Sequence, residues 1–143
     1  MTAYTSGADR IVDSVVTLCN VSSPDRKMDV SECRALWDTG AVITCISESL
    51  VKKLGLSCLG VVETLAAGDR RFPAEMFLVR LSMGEFTLPV LRVLALPMEN
   101  AGHDVIIGMD VISRGDLAIT NHDGKTVLSF RIPSMETIDF AGR

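Results

Sequence analysis

Short hydrophobic runs separated by turn-forming residues dominate this chain. Val, Ile, Leu and Phe cluster in segments between which Gly, Pro, Asn or Asp stands. Strands joined by turns produce this spacing, whereas an amphipathic helix would repeat its apolar residues every three or four positions. The pattern therefore predicts an all-β fold. The predicted strands are residues 11–21, 28–37, 61–66, 72–81, 86–96, 117–120 and 126–132, with a short strand that ends at Ile46.

Two short segments carry helix signals instead. Ser47 can cap a first helix, and Gly55 can end it. Asp110 can cap a second helix over residues 111–114. The prediction is thus an all-β fold with one or two short helices.

The longest predicted hairpin has its arms at residues 61–66 and 72–81. Its tip, residues 67–70, has the sequence Ala-Gly-Asp-Arg, in which Gly and Asp suit a turn. We expect these arms to project from the rest of the fold.

Length and organisation indicate one domain. The 143 residues suffice for one core but not for two full catalytic lobes. No repeat or linker divides the chain. We therefore expect a single domain over residues 1–143, with its core at about residues 11–132 and a C-terminal extension at residues 134–143.

Composition and charge limit the kinds of molecule that are expected to bind this protein. Apolar residues make up 48% of the chain and charged residues 22%, which is typical of a globular protein. A net charge of −4 is a poor match for a phosphate backbone or an anionic lipid surface, so neither nucleic acid nor a membrane is an expected partner. The N-terminus lacks the apolar segment of an export signal, which predicts a cytoplasmic protein.

The four cysteines predict no metal site. Cys19, Cys33, Cys45 and Cys58 show no CxxC spacing and have no histidine nearby in the sequence. Without export, they are expected to be reduced and mostly buried as small apolar residues. We expect neither a metal nor another cofactor.

The candidate chemistry lies at Asp38, in the sequence Asp38-Thr39-Gly40. The three residues before it, at positions 35–37, are all apolar, which predicts a strand buried on both faces that delivers Asp38 to the interior. Burying an ionised carboxylate without a partner is costly. A second group is therefore expected to share the charge of Asp38.

Two motifs together resemble a known family. Residues 36–47, Leu-Trp-Asp-Thr-Gly-Ala-Val-Ile-Thr-Cys-Ile-Ser, resemble the active-site segment of retropepsin-like aspartic proteases. Residues 105–112, Val-Ile-Ile-Gly-Met-Asp-Val-Ile, are similar to the second signature of that family. The resemblance covers roughly residues 30–132 and is stronger to the cellular and bacterial members than to the shorter viral ones.

The resemblance implies a homodimeric aspartic endopeptidase with a closed barrel and a flap hairpin. One Asp38 from each subunit would meet at a two-fold axis and share a proton, because two adjacent carboxylates cannot both ionise. One carboxylate would activate a water and the other would donate to the scissile carbonyl of an extended peptide. Such a pair predicts a bell-shaped dependence of activity on pH, with an optimum at roughly pH 4 to 6.

The resemblance also implies roles for the residues around Asp38. Thr39 would hydrogen-bond across the axis, and Gly40 would let the two backbones approach while donating its N–H to Asp38. Residues implied to contact substrate are Ala41 in the cleft, Ala66, Ala67, Gly68 and Asp69 in the flap, and Ile106 and Ile107, which would also pack the catalytic loop.

Departures from the family pattern leave two alternatives open. Val42 stands where viral members place a substrate-binding carboxylate, and Met109 stands where a basic residue is common. A retropepsin-like dimerisation or peptide-binding domain without catalysis is therefore the main alternative. A phosphotransferase with Asp38 as nucleophile would require a second Asp at position 40, where this chain has Gly.

Overall fold

The computed structural model describes residues 1–26, 29–66 and 68–142 of the chain. Strands dominate the described residues, and helices are few and short. The strands are Thr2–Gly7 (β1), Val16–Ser22 (β2), Val30–Trp37 (β3), Cys45–Ser47 (β4), Gly60–Ala66 (β5), Arg70–Met83 (β6), Phe86–Thr87 (β7), Leu91–Leu96 (β8), Val105–Ile107 (β9), Asp116–Thr120 (β10) and Val127–Ile132 (β11). The helices are Glu48–Leu54 (α1) and Met109–Ile112 (α2), and a 3-10 turn covers His122–Gly124. The prediction of an all-β fold with one or two short helices is confirmed.

The main sheet places β9 between the two strands that flank Asp38. Its strand order is β2-β3-β9-β4-β8-β6-β5, and β7 pairs with β6. β9 runs parallel to β3 and antiparallel to β4. β2 also pairs with β6, through residues 20–22 and 80–82, so the path of paired strands returns to its start at β2.

A second sheet of three antiparallel strands contains the first and the last strands of the described residues, in the order β1-β11-β10. Tyr4 in β1 and Leu117 in β10 both lie opposite Phe130 in β11. Phe130 is completely buried, and its ring centroid lies 5.3 Å from that of Trp37 at the end of β3. The small sheet therefore packs on the same core as the main sheet.

The side chains of β3 alternate between the core and the opposite face. Cys33, Ala35 and Trp37 are buried, whereas Leu36 is half-buried and the preceding alternate residues are exposed. This alternation is typical of a strand with only one face on the core. The predicted burial of β3 on both faces is therefore wrong at Leu36. The largest completely buried side chains of the core are Phe86, Phe130, Ile46, Leu81, Met83, Leu88, Ile107 and Leu128.

Several strand boundaries differ from the prediction. The strand expected at residues 11–21 begins only at Val16. The strand expected at residues 86–96 is interrupted between β7 and β8, where Pro89 has no backbone N–H to donate. β10 and β11 pair as antiparallel neighbours, and the residues that join them contain the 3-10 turn.

The first predicted helix is confirmed together with its caps. The Oγ of Ser47 accepts the N–H of Leu50 at 3.1 Å, and Gly55 ends the helix in the left-handed conformation, with a φ of 59°. No helix among the described residues is long and apolar enough to cross a membrane.

Candidate active site

Asp38 lies in the turn that directly follows β3. Its N–H donates to the carbonyl of Ile107 at 2.9 Å, which fixes the turn to β9. The N–H of Gly40 donates to Oδ1 of Asp38 at 2.8 Å, the contact that the resemblance implies. Asp38 is half-buried, and Thr39 and Gly40 are exposed. The expectation that β3 delivers Asp38 to the interior is therefore wrong for the single chain.

The loop after Asp38 is held by the start of α2. The N–H of Met109 donates to the carbonyl of Ala41 at 2.8 Å, and the N–H of Asp110 donates to that of Val42 at 3.2 Å. A Cβ placed on Gly108 would lie only 2.8 Å from the carbonyl oxygen of Ala41. Only glycine therefore allows this close approach of the two backbones.

A buried threonine joins the loop after Asp38 to α2 through side-chain contacts. Oδ1 of Asp110 accepts the N–H of Thr44 at 3.0 Å and its hydroxyl at 2.7 Å. The same oxygen accepts the N–H of Val111 at 3.0 Å. The Thr44 hydroxyl in turn accepts the N–H of Gly108 at 3.1 Å, and Thr44 is completely buried. One carboxylate and one hydroxyl thus tie the two motifs together.

Sequence reasoning missed this connection. It assigned Asp110 to the cap of a helix over residues 111–114, whereas α2 covers Met109–Ile112 and Gly108 occupies its N-cap position. The available signal was a threonine within the otherwise apolar residues before β4, because a buried hydroxyl requires a hydrogen-bond partner.

The predicted hairpin is formed by β5 and β6. β5 pairs with residues 70–76 of β6, and β8 pairs only with residues 76–79. Among the residues that the structure describes, no third strand pairs with the outer half of the hairpin. At its tip, Gly68 and Asp69 have positive φ values of 82° and 58°. Ala67, also predicted to contact substrate, lies outside the described residues.

The other residues expected to contact substrate occupy different environments. Ala41 is half-buried in the loop after Asp38, and Ala66 ends β5. Ile107 is completely buried in the main core, and Ile106 is half-buried against a smaller cluster that contains Cys45. The carbonyl of Ile107 holds the Asp38 turn, and contact of either isoleucine with a peptide stays a prediction.

The comparisons with known proteins agree with this arrangement. Residues 27–111, which contain Asp38, the hairpin and the start of α2, match a family model described as aspartyl protease. The chain belongs to the aspartyl protease family. Comparison of this aspartyl protease with curated protein sequences gives no match.

Solved structures share the fold of this aspartyl protease. A retropepsin-like aspartic protease from Rickettsia conorii aligns with a TM-score of 0.54 and 13% identity, over 90% of this chain and 93% of that chain. EIAV protease complexed with the inhibitor HBY-793 aligns with a TM-score of 0.52 and 14% identity, over 71% of this chain and 86% of that chain. Identities this low show the fold alone. The resemblance to retropepsin-like aspartic proteases is confirmed.

The functional group that the site of this aspartyl protease offers for chemistry is the Asp38 carboxylate. Asp38 presents a carboxylate that can exchange a proton with water, on a loop fixed by main-chain hydrogen bonds. Burial, together with the negative charges of Asp110 and Asp38, raises the pKa of the nearby Cys45 thiol to about 11, so this thiol is neutral at neutral pH. In the described part of the chain, no group of three metal-ligating side chains is placed to hold an ion.

Proposed function

We propose that this chain is one subunit of a homodimeric aspartic endopeptidase with Asp38 as its catalytic residue. The observation that carries the proposal is the Asp38 turn, which is fixed by main-chain contacts and has an exposed Thr39 beside it. The chain contains one Asp-Thr-Gly sequence, so the second carboxylate of a dyad must come from another copy. A two-fold axis at this turn would supply it.

In the proposed dimer, the two Asp38 side chains share one proton. The ionised carboxylate takes a proton from the attacking water, while the protonated carboxyl donates to the carbonyl oxygen of the scissile bond. Thr39 hydrogen-bonds across the axis, and the Gly40 N–H keeps each carboxylate in its orientation. The monomer is expected to be inactive, because it has only half of the acid and base pair.

We further propose that the ring of paired strands is the closed barrel of the resembled family and that the β5–β6 hairpin is its flap. The return of β6 to β2 supports the barrel, and the pairing of the outer half of the hairpin within itself alone, among the described residues, supports the flap. Main-chain groups near Gly68 and Asp69 would pair with an extended peptide, with Ala41 in the cleft below. The single-domain boundaries and the cytoplasmic location stay predictions.

Cleavage of an unfolded protein at about pH 5 tests the proposal. The Asp38→Asn variant should lose activity and keep its fold, whereas the matched substitution Asp13→Asn, at an exposed position, should keep both. Sedimentation measures whether the active species is a dimer. A fully active D38N variant, or an active monomer, would contradict the proposal. A dimer that binds the unfolded protein without cleaving it would favour the non-catalytic peptide-binding domain.

A further inference from the structure

Two buried cysteines lie side by side on the strand pair that leads to the candidate active site. Cys19 in β2 is directly opposite Cys33 in β3 in the antiparallel register. Their sulfur atoms lie 3.6 Å apart, and the exposed fractions are 2% for Cys19 and 8% for Cys33. The sequence spacing gave no sign of this contact, which exists only because the two strands pair in this register.

The backbone geometry of this pair suits a disulfide. Directly opposite residues in an antiparallel sheet have Cα atoms about 4.5 to 5.5 Å apart. Disulfides span Cα separations of about 4.4 to 6.8 Å. The bond could therefore form with small side-chain rotations and without moving either strand.

We propose that Cys19 and Cys33 are a reversible dithiol–disulfide site, oxidised by peroxides and reduced by dithiols. The Cys33 sulfur attacks one oxygen of the peroxide, the O–O bond breaks, and one water leaves as Cys33 becomes a sulfenic acid. The Cys19 sulfur then attacks that sulfur and loses its proton, and a second water leaves. The two thiols lose two electrons and two protons in total, and the peroxide accepts them.

The local environment gives the two thiols different roles. The hydrogen bond between them lowers the pKa of the Cys33 thiol and raises that of Cys19, where burial acts in the same direction. Cys33 is also the more exposed of the two. Cys33 is thus suited to react first and Cys19 to resolve the sulfenic acid.

The other two cysteines are not placed for this reaction. The Cys45 thiol donates to the carbonyl of Ile43 at 3.3 Å, and the exposed Cys58 thiol donates to that of Gly60 at 3.3 Å. The indole N–H of Trp37 in β3 donates to the hydroxyl of Thr17 in β2 at 3.0 Å. A disulfide between Cys19 and Cys33 would add a covalent bond between the same two strands. The bond would lie in the middle of β3, the strand that leads to the Asp38 turn.

Peptide mapping of the folded protein tests the site. The full chain carrying Cys58→Ser, which removes the exposed thiol, is treated with a small excess of hydrogen peroxide, and its fold is verified by circular dichroism. Unreacted thiols are blocked before digestion with trypsin. Trypsin cleaves after Arg26, which separates Cys19 from Cys33 unless a disulfide joins them. The proposal predicts one linked peptide pair, about 2 Da lighter than the sum of its two thiol peptides and separated by a dithiol.

Several results would overturn the proposal. One is recovery of Cys19 and Cys33 as blocked thiols at a peroxide dose that fully oxidises Cys58 of the wild-type chain. Another is a link that forms only after the chain is unfolded in denaturant, and a third is conversion of Cys33 to the sulfinic acid without any link. The Cys33→Ser variant should leave Cys19 as a thiol. The readout is a peptide mass rather than proteolysis, so the result does not depend on the proposed function.

Discussion

Replacing Thr44 by valine tests whether the contact between Thr44 and Asp110 holds the catalytic loop. Valine has nearly the same shape as threonine, so the substitution removes the hydroxyl and leaves the packing almost unchanged. It deprives Asp110 of its 2.7 Å donor and the Gly108 N–H of its 3.1 Å acceptor. The N–H of Thr44 still donates to Asp110 at 3.0 Å, so the carboxylate keeps part of its coordination.

The expected cost follows from the burial of this contact. A buried group left without its hydrogen-bond partner costs about 1 to 3 kcal/mol, with the higher values for charged groups. Loss of the Thr44 hydroxyl should then lower the free energy of unfolding by about 1 to 3 kcal/mol. Most of this comes from the Gly108 N–H, since the half-buried Asp110 carboxylate keeps two N–H donors. A loss of this size is a large fraction of the stability of a small domain, which is about 5 to 15 kcal/mol.

Urea unfolding at one fixed protein concentration measures this change, because any dimer makes stability depend on concentration. Thr44→Ser, which keeps the hydroxyl, should recover most of the loss. Thr87→Val, at an exposed position of β7, is the matched control and should change stability by less than about 0.5 kcal/mol. If T44V unfolds within about 0.5 kcal/mol of the wild type, the hydroxyl does not hold the loop.

Three further predictions concern the rest of the fold. Gly108→Ala should cost about 1 to 3 kcal/mol in urea unfolding, because the new Cβ meets the carbonyl of Ala41 at 2.8 Å; an unchanged midpoint would contradict the need for glycine. Asp116→Asn should speed amide exchange at Met135, since the Met135 N–H donates to Asp116 and lowers the pKa of that carboxyl. Because that pKa is lowered, the extra protection of the Met135 amide in the wild type, relative to Asp116→Asn, should be complete above about pH 4 and disappear as the pH falls through the lowered value. Equal exchange in the two proteins at neutral pH would refute this prediction. Amide exchange at Gly68 should be faster than in β3, because no third strand of the described chain pairs with the outer hairpin; slower exchange there would exclude a mobile flap.

Local signals in the sequence predicted the elements that form from neighbouring residues. Ser47 and Gly55 stand at the two ends of α1, and each acts within one helical turn. The hairpin of β5 and β6 was predicted for the same reason, since its turn residues lie between its two arms. Each of these elements depends on contacts between residues close together in the chain.

Contacts between distant segments were not predictable in this way. β1 has little apolar pattern and becomes a strand only by pairing with β11, where Thr2 lies opposite Ile132. The contacts of Thr44 with Asp110 and of Cys19 with Cys33 likewise depend on which strands become neighbours and in which register. A single sequence does not reveal register when both faces of a strand could accept its side chains.

The exposure of Asp38 changes the argument for a second carboxylate. Asp38 follows the outward positions of β3, beside the half-buried Leu36, so its charge remains partly in contact with water in the single chain. Folding alone therefore does not require another group to share that charge.

In the proposed dimer, the cost of removing the carboxylate from water would arise when the second copy covers the turn. Asp38→Asn should then leave the unfolding free energy of the monomer nearly unchanged. At a pH at which both carboxylates of the pair are ionised, it should tighten the dimer, because the amide removes the repulsion between them. Urea unfolding below the dimer dissociation constant and sedimentation above it measure the two effects separately. A monomer strongly destabilised by D38N would mean that the carboxylate supports the fold itself rather than the association of two chains.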